Sequence, residues 1–316
     1  MEKKLGLATR DAYGQTLLEL GRRNPKIVVL DADLSQSTRT SLFAKEFPDR
    51  FFNVGISEAN MVGMAGGLAA SGKIPFISSF ACFMTCKAYD QFRMAVAYPH
   101  LNVKVVASHG GISVGEDGVS QQSIEDVALM TSLPGFTVIV PADEHATRAL
   151  VAQASQTSGP VYIRTGRPKA PILHEATTPF SMGQGVLLRQ GKDATVIANG
   201  LLVFEALSAA EELEPSGVSV AVVDMHTVKP LDEALILSQA EATGAIVTAE
   251  EHQIWGGLGS AVARAVARQK PIPMEFVAIA DTYAESGKPE ELFAKYGLTS
   301  SHIARAVRRV IERKSS

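Results

Sequence analysis

Phe52-Asn53-Val54-Gly55-Ile56-Ser57-Glu58-Ala59-Asn60 carries the chain from a short apolar strand, ending at Val54, into a helix. Gly55 suits the tight turn between them, and Ser57 stands where a helix N-cap belongs. The helix then presents Met61, Met64, Ala65 and Leu68 at spacings that bury one face. Glu58 falls in its first turn among small or apolar neighbours. A carboxylate there complements the helix dipole. In an apolar setting it can also share a proton with a ring nitrogen.

The same unit recurs on both sides. Upstream, residues 7–22 read as an amphipathic helix and Lys26–Asp31 as a buried strand ending in an acidic loop. Downstream come strands at Ile74–Ser78, Val103–Ala107, Thr137–Val140 and Val161–Arg164, with helices at 86–97, 123–132 and 143–157 between them. Strands alternating with helices predict a parallel sheet covered on both faces. Residues 167–184 lose this periodicity and carry Pro168, Pro171 and Pro179, which marks a linker. The pattern then restarts, with strands at Ala194–Ala198, Val218–Val223, Ala245–Ala249 and Met274–Ile279. Helices at 201–213, 231–242, from Gly256 to about Ala267, and 299–313 accompany them. The expected division is 1–166, linker 167–184 and 185–316: two doubly wound α/β domains, the second smaller.

Composition agrees with an ordinary globular chain of 316 residues, 46% hydrophobic and 20% charged. A net charge of −3 gives no electrostatic case for nucleic acid or membrane surfaces. The N-terminus is followed by no signal-type apolar run, and Met61–Ala70 is too short and glycine-rich to span a bilayer. Cys82 and Cys86, spaced i, i+4 with no nearby His, read as small core residues in a reducing compartment. The expectation is a cytoplasmic enzyme with no metal ligands of its own.

Two glycine strings are decoys. Gly67-Leu68-Ala69-Ala70-Ser71-Gly72-Lys73-Ile74 lacks the Ser/Thr of a phosphate loop and ends a helix instead of opening one. Gly256-Gly257-Leu258-Gly259 lacks dinucleotide spacing. Ser108-His109-Gly110-Gly111-Ile112-Ser113-Val114-Gly115-Glu116-Asp117-Gly118 is more informative. It follows a strand, at the end of the sheet where α/β proteins bind ligands, and holds an imidazole, two carboxylates and four glycines. A surface turn would use such glycines too, but a loop this long in a compact domain is more often functional. Phe80 and Phe83 follow another strand end, as core aromatics or as a platform for a flat heterocycle. Arg164 and Arg167 follow a third, where guanidinium forks suit phosphate.

The sequence around Glu58, the Gly115-Glu116-Asp117-Gly118 loop with Gln122-x-Ile124-Glu125-Asp126, and Leu133-Pro134-Gly135 with Pro141-Ala142-Asp143 resemble transketolase. So do Asp224-Met225-His226-Thr227-Val228-Lys229-Pro230-Leu231-Asp232, Glu250-Glu251-His252-x-x-x-Gly256-Gly257-Leu258-Gly259 and Lys295-Tyr296-Gly297-Leu298-Thr299. The resemblance covers nearly the whole chain, as the pyrimidine-binding domain followed by a mixed-sheet C-terminal domain. The domain that normally precedes them is not matched.

The resemblance implies a subunit of a split transketolase that uses thiamine diphosphate to move a two-carbon ketol unit between sugar phosphates. It gives Glu58 the hydrogen bond to the aminopyrimidine ring nitrogen. Phe80 and Phe83 flank that ring, Leu34 and Ile112 support the cofactor, and Asp33 lies near it. His109 and Asp117 match positions that contact sugar hydroxyls or phosphate, His109 within the catalytic set. Arg10, Ser37 and Arg167 match a phosphate grip, Arg167 preferred to Arg164 by its spacing from Pro160. Gln121 stands where many transketolases have His; glutamine hydrogen-bonds but exchanges no proton near neutral pH. The family's Gly-Asp-Gly…Asn segment for diphosphate and metal has no counterpart here. A partner chain, the N-terminal transketolase subunit, is therefore expected to hold most of the Mg2+ (or Ca2+) site, in an α2β2 heterotetramer. The alternatives are a deoxyxylulose-phosphate synthase-like enzyme, the beta subunit of a 2-oxoacid dehydrogenase, and a non-catalytic regulatory subunit. Against the dehydrogenase stand the Gly-Glu-Asp-Gly loop and the Lys295–Thr299 ending.

Overall fold

Apolar runs such as Ile27-Val28-Val29-Leu30 have no polar face to give to water, so they belong inside a sheet covered on both sides. The computed structural model, which describes residues 3–314, places them there. Its strands are β1 (Leu5–Ala8), β2 (Ile27–Asp31), β3 (Phe51–Asn53), β4 (Ile74–Ser78), β5 (Lys104–Ala107), β6 (Thr137–Ile139) and β7 (Val161–Arg164). They continue with β8 (Lys169–Pro171), β9 (Val186–Arg189), β10 (Ala194–Ala198), β11 (Val220–Asp224), β12 (Thr227–Lys229), β13 (Ile246–Gln253) and β14 (Met274–Ile279).

The first large sheet has the order β12-β6-β7-β5-β4-β2-β3, parallel except for β12. Successive residues of β2 serve opposite faces: Val28 and Leu30 join one apolar cluster, Ile27 and Val29 the other. The second sheet, β14-β13-β10-β11-β9, is parallel except for β9, hence mixed. It repeats the division, Val196 and Ala198 against Ile197. Each such Val, Leu or Ile contributes at most about 1.5–3 kcal/mol by burial. From β2 the chain moves outward to β3, then returns to β4 on the other side of β2. The strand order therefore reverses between β2 and β4, and the loops leaving their carboxyl ends diverge into a crevice.

Several sequence expectations need correction. The first helix is Thr9–Arg23, because Leu5–Ala8 instead pairs as β1 with β8, antiparallel. That same β8 lies within 167–184, so the segment is partly structured. The helix expected over 86–97 is broken into Ala81–Lys87, Tyr89–Gln91 and a wide π turn, Phe92–Ala97. The helix expected over 123–132 begins at Asp126. Ser57 occupies the N-cap position of the helix Glu58–Ala70, but its hydroxyl caps nothing. Cys82 is buried as expected, whereas Cys86 is exposed.

The two halves are stitched together by buried polar contacts. β12, from the second half, pairs with β6 of the first, and Lys229 Nζ donates to the carbonyls of Thr131 and Leu133. Glu251 Oε1 accepts the Ser113 amide at 2.6 Å. His174, in the joining segment, places Nε2 2.8 Å from Asp224 Oδ2, while its backbone amide donates to Asp143 Oδ2. Burial pulls the His174 pKa down, but the hydrogen bond and charge of Asp224, with Asp143, outweigh it and leave the value raised above 6.5. A raised histidine stabilises the fold fully below its unfolded value, and the contribution is lost as pH rises through the folded one. Accordingly, His174→Gln is expected to lower stability by about 1.5–3 kcal/mol in mild acid, the worth of a charge-assisted hydrogen bond. The wild-type advantage in thermal midpoint should shrink with rising pH; a constant gap would show that the pair is not charged.

Candidate active site

Each candidate residue lies just beyond the carboxyl end of a strand. Asp33, Leu34 and Ser37 follow β2, Glu58 follows β3, and Phe80 and Phe83 follow β4. His109, Ile112, Asp117 and Gln121 follow β5, Arg167 follows β7, and Arg10 opens the helix after β1. Gly55 makes the turn into Glu58 at φ +70°, a conformation that favours glycine.

Glu58 is 3% exposed. Its Oε2 lies 3.4 Å from Lys87 Nζ, and its Oε1 is buried with no hydrogen-bond partner. A buried acceptor left open costs free energy unless something outside the chain satisfies it. Nearby, Phe80 is stacked between two rings. Its centroid is 5.6 Å from that of Phe83 and 3.7 Å from that of His109, with interplanar angles of 14° and 19°. The Lys87 ammonium lies 4.5 Å from the Phe83 centroid. An unsatisfied buried carboxylate oxygen, an acceptor, near an aromatic stack of which only Phe83 is partly exposed can take a flat nitrogen heterocycle through a shared proton. The residues therefore fit the aminopyrimidine of thiamine diphosphate.

His109 adopts φ +60°, uncommon for a residue with a side chain, and is fixed from both ring nitrogens. Nε2 is 3.2 Å from Arg10 Nη1, and Nδ1 is 2.7 Å from Ser108 Oγ. A guanidinium only donates, so Nε2 accepts, and the proton resides on Nδ1 and is shared with Ser108. Burial, with the charges of Arg10, Arg167 and Arg39, pushes the His109 pKa down to about 3. The imidazole is neutral at physiological pH, and both its ring nitrogens are engaged by Arg10 and Ser108. Gly110 and Gly111 let this turn sit flat on a charged support. A Cβ on Gly110 would stand 2.0 Å from Arg164 Nε, and one on Gly111 2.2 Å from Glu251 Cδ.

The arginines divide in two. Arg164 is buried, 3.4 Å from Asp126 Oδ2, and donates to the Ser123 carbonyl, so it is a support. Arg10 and Arg167 reach the open side. Arg10 Nη1 donates to the Ser37 carbonyl at 3.2 Å. Arg167 Nη1 donates to the Val114 carbonyl at 2.6 Å and lies 3.4 Å from Asp117 Oδ1. Burial first, and then the charges of Arg39 and Arg167, lower the Arg10 pKa against the opposing charge of Asp11.

Not every candidate joins this cluster. Ile112 is fully buried in the apolar cluster shared with the second half. Asp33, at φ +66°, is exposed and accepts from Asn53 Nδ2. Gln121 bonds its neighbour Ser120, and its carbonyl faces Cys82 Sγ.

Three residues escaped the sequence reading. Lys87 could have been found as the i+4 neighbour of Phe83 on one helix face. Asp31 closes β2 and binds Thr38 Oγ1, Thr40 Oγ1 and the Leu34 amide, pinning the loop that holds Leu34 and Ser37. Burial raises its pKa, against those hydrogen bonds. Glu251, quoted in the Glu250-Glu251-His252 stretch but given no role there, lies more than a hundred residues from the loop it supports. Among the described residues, no group of three or more His, Cys, Asp or Glu side chains is placed to hold a metal ion. Nor is any helix among them long and apolar enough to cross a membrane.

Comparison with known proteins gives the following. The pyrimidine-binding domain of transketolases matches residues 6–172, and the transketolase C-terminal domain matches 183–303. A Methanocaldococcus jannaschii protein described as a transketolase C-terminal section is 46% identical, covering 94% of each chain. The 6-deoxy-6-sulfo-D-fructose transketolase subunit SqwH of Clostridium sp. is 44% identical over 97% of this chain and 95% of its own. A solved structure described as a split-gene transketolase, an inactive beta4 tetramer, superposes with a TM-score of 0.92 at 50% identity. It covers 98% of this chain and all of the other.

Proposed function

Because the chain belongs to the transketolase family, through both its pyrimidine-binding and its C-terminal domain, we propose that it is the C-terminal subunit of a two-chain transketolase. The enzyme would transfer a ketol unit from a ketose phosphate to an aldose phosphate. The observation that carries this reading is Glu58 Oε1, buried and unpartnered beside the Phe80–Phe83 stack. When bound, thiamine diphosphate supplies the nucleophilic carbon and the electron sink for the transfer. Glu58 would hold a shared proton at the aminopyrimidine ring nitrogen. Phe80 and Phe83 would flank that ring, Leu34 and Asp33 would line its approach, and Ile112 would back the loop from the core.

Asp117 and Gln121 would bind sugar hydroxyls, and neutral His109 would do so at Nε2 by exchanging its contact with Arg10. Arg10 and Arg167, with Ser37 at the loop, would grip the terminal anion. Guanidiniums suit sulfonate as well as phosphate, and a similar protein is by its name a transketolase subunit for a sulfonated ketose. A substrate screen therefore includes both kinds of ketose.

The Glu58 helix, the strand and turn leading into it and the π turn packed on it expose apolar side chains. Ile56 is 79% exposed and Tyr98 82%, with Phe52, Met64 and Met94 also exposed. Gly63 and Gly67 of the Glu58 helix have empty space above them. Such a surface favours a protein partner. The proposed partner is an N-terminal transketolase subunit carrying the diphosphate and Mg2+ or Ca2+ sites, two copies of each chain forming the enzyme. The proposed division into 1–166, 167–184 and 185–316 assigns the first part to the cofactor.

The test is reconstitution of the chain with such a partner, thiamine diphosphate and magnesium. Ketol transfer supports the proposal. Oxoacid decarboxylation would move the chain to the dehydrogenase subunits, and no turnover would make it regulatory. Within an active complex, Arg167→Ala is expected to raise KM for phosphorylated or sulfonated sugars about ten- to hundredfold, the loss of a charge-assisted contact. Uncharged sugars should be nearly unaffected; an equal loss for both would point to misfolding.

A further inference from the structure

We propose that Lys87 is a positioning residue for Glu58, holding one carboxylate oxygen so that the other is presented to the cofactor ring. The inference rests on the reading just given. Lys87 ends the helix Ala81–Lys87 and touches two parts of the site at once. Its ammonium is 3.4 Å from Glu58 Oε2 and 4.5 Å from the centroid of Phe83, which lies one helical turn earlier. The Phe83 ring and the helix backbone thus fix where the cation can sit. Glu58 is 3% exposed while Lys87 is about half exposed, so the carboxylate depends on the contact more than the lysine does.

The two oxygens of Glu58 are consequently unequal: Oε2 faces a cation and Oε1 faces none. A carboxylate with one oxygen held by a cation cannot rotate without losing that contact, so the plane and direction of Oε1 are set before any ligand arrives. Misplacing a reacting group by about 1 Å can cost on the order of a hundredfold in rate. Without Lys87, Glu58 would be a buried charge free to turn towards water. Lys87 itself touches no atom of the sugar-binding residues.

Two experiments test this. The first needs only the isolated chain: thermal midpoints of wild type, Lys87→Met, Glu58→Gln and the double variant. The expected result is a fall of about 2–4 °C for Lys87→Met that largely disappears when Glu58→Gln is also present. The second uses the reconstituted complex and measures hydrogen–deuterium exchange at C2 of bound thiamine diphosphate. Lys87→Met should slow it about tenfold or more with KM for the sugar unchanged, and Lys87→Arg should restore it to within about threefold. Additive midpoints would overturn the pairing. Coupled midpoints with wild-type exchange would overturn the positioning role and leave a structural ion pair. If Glu58→Gln itself leaves exchange unchanged, the proposed function has failed, and the midpoints still decide whether the two side chains act together.

Discussion

Glu58→Gln is expected to slow hydrogen–deuterium exchange at C2 of the bound cofactor by about 100- to 10,000-fold, the usual range for a lost general acid–base partner. Glutamine keeps the shape of glutamate and can still fill the space at the head of the helix. It cannot hold a shared proton at the ring nitrogen. If Glu58 only complemented the helix dipole, the same substitution would cost at most about 1 kcal/mol of stability and leave exchange alone. The two outcomes differ by orders of magnitude in one observable. Assembly with the partner should persist in the variant, since the substitution is nearly isosteric. Wild-type exchange in Glu58→Gln would remove this residue from the mechanism and with it the centre of the functional reading.

The second large effect is loss of activity when the chain stands alone. The isolated protein is expected to bind thiamine diphosphate weakly and to show no ketol transfer. The reason is in the chain itself: it offers the pyrimidine side of a cofactor site, and its sequence has no Gly-Asp-Gly…Asn segment for diphosphate and metal. A full set of diphosphate and metal contacts is what lifts affinity into the micromolar range, each tenfold requiring about 1.4 kcal/mol. Calorimetry that found micromolar, magnesium-dependent binding to the isolated chain would sink the split-site reading. Light scattering of the active complex should give two copies of each chain; a fully active one-to-one complex would contradict the shared site.

The sheet core was legible because β2, β4 and β11 each open on four apolar residues in a row, and such runs need no context to declare themselves. The elements that were missed are short and owe their state to distant partners. Thr227–Lys229 is a strand because it lies against β6, and Leu5–Ala8 because it lies against β8. The helix after β4 was misplaced since its break at Ala88 and wide turn at Phe92–Ala97 follow from packing, not from a proline or glycine. Candidate residues could be picked out in the sequence when a loop concentrated them, as with His109 and Asp117. The spacing of Lys87 from Phe83 was readable, but a lysine at a helix end is usually solvated, and only the fold brings it to Glu58. The resemblance already preferred Arg167 to Arg164, and the fold supplies the physical reason: three positions apart in sequence, one is buried against Asp126 and the other is partly exposed beside Asp117.

The pairing of β12 with β6 makes the two halves unequal to the word module. Residues 1–184 alone would form six of the seven strands of the first sheet, yet leave the edge of Thr137–Ile139 without the strand that closes it. An open edge of that kind invites pairing with any other strand, including another copy of itself. The second half would keep its own sheet and lose the surface on which Thr227–Lys229 lies. Exchange of domains among related chains is thereby constrained: a graft at the joining segment must match not only the ends of the chain but the register of a strand more than forty residues further on.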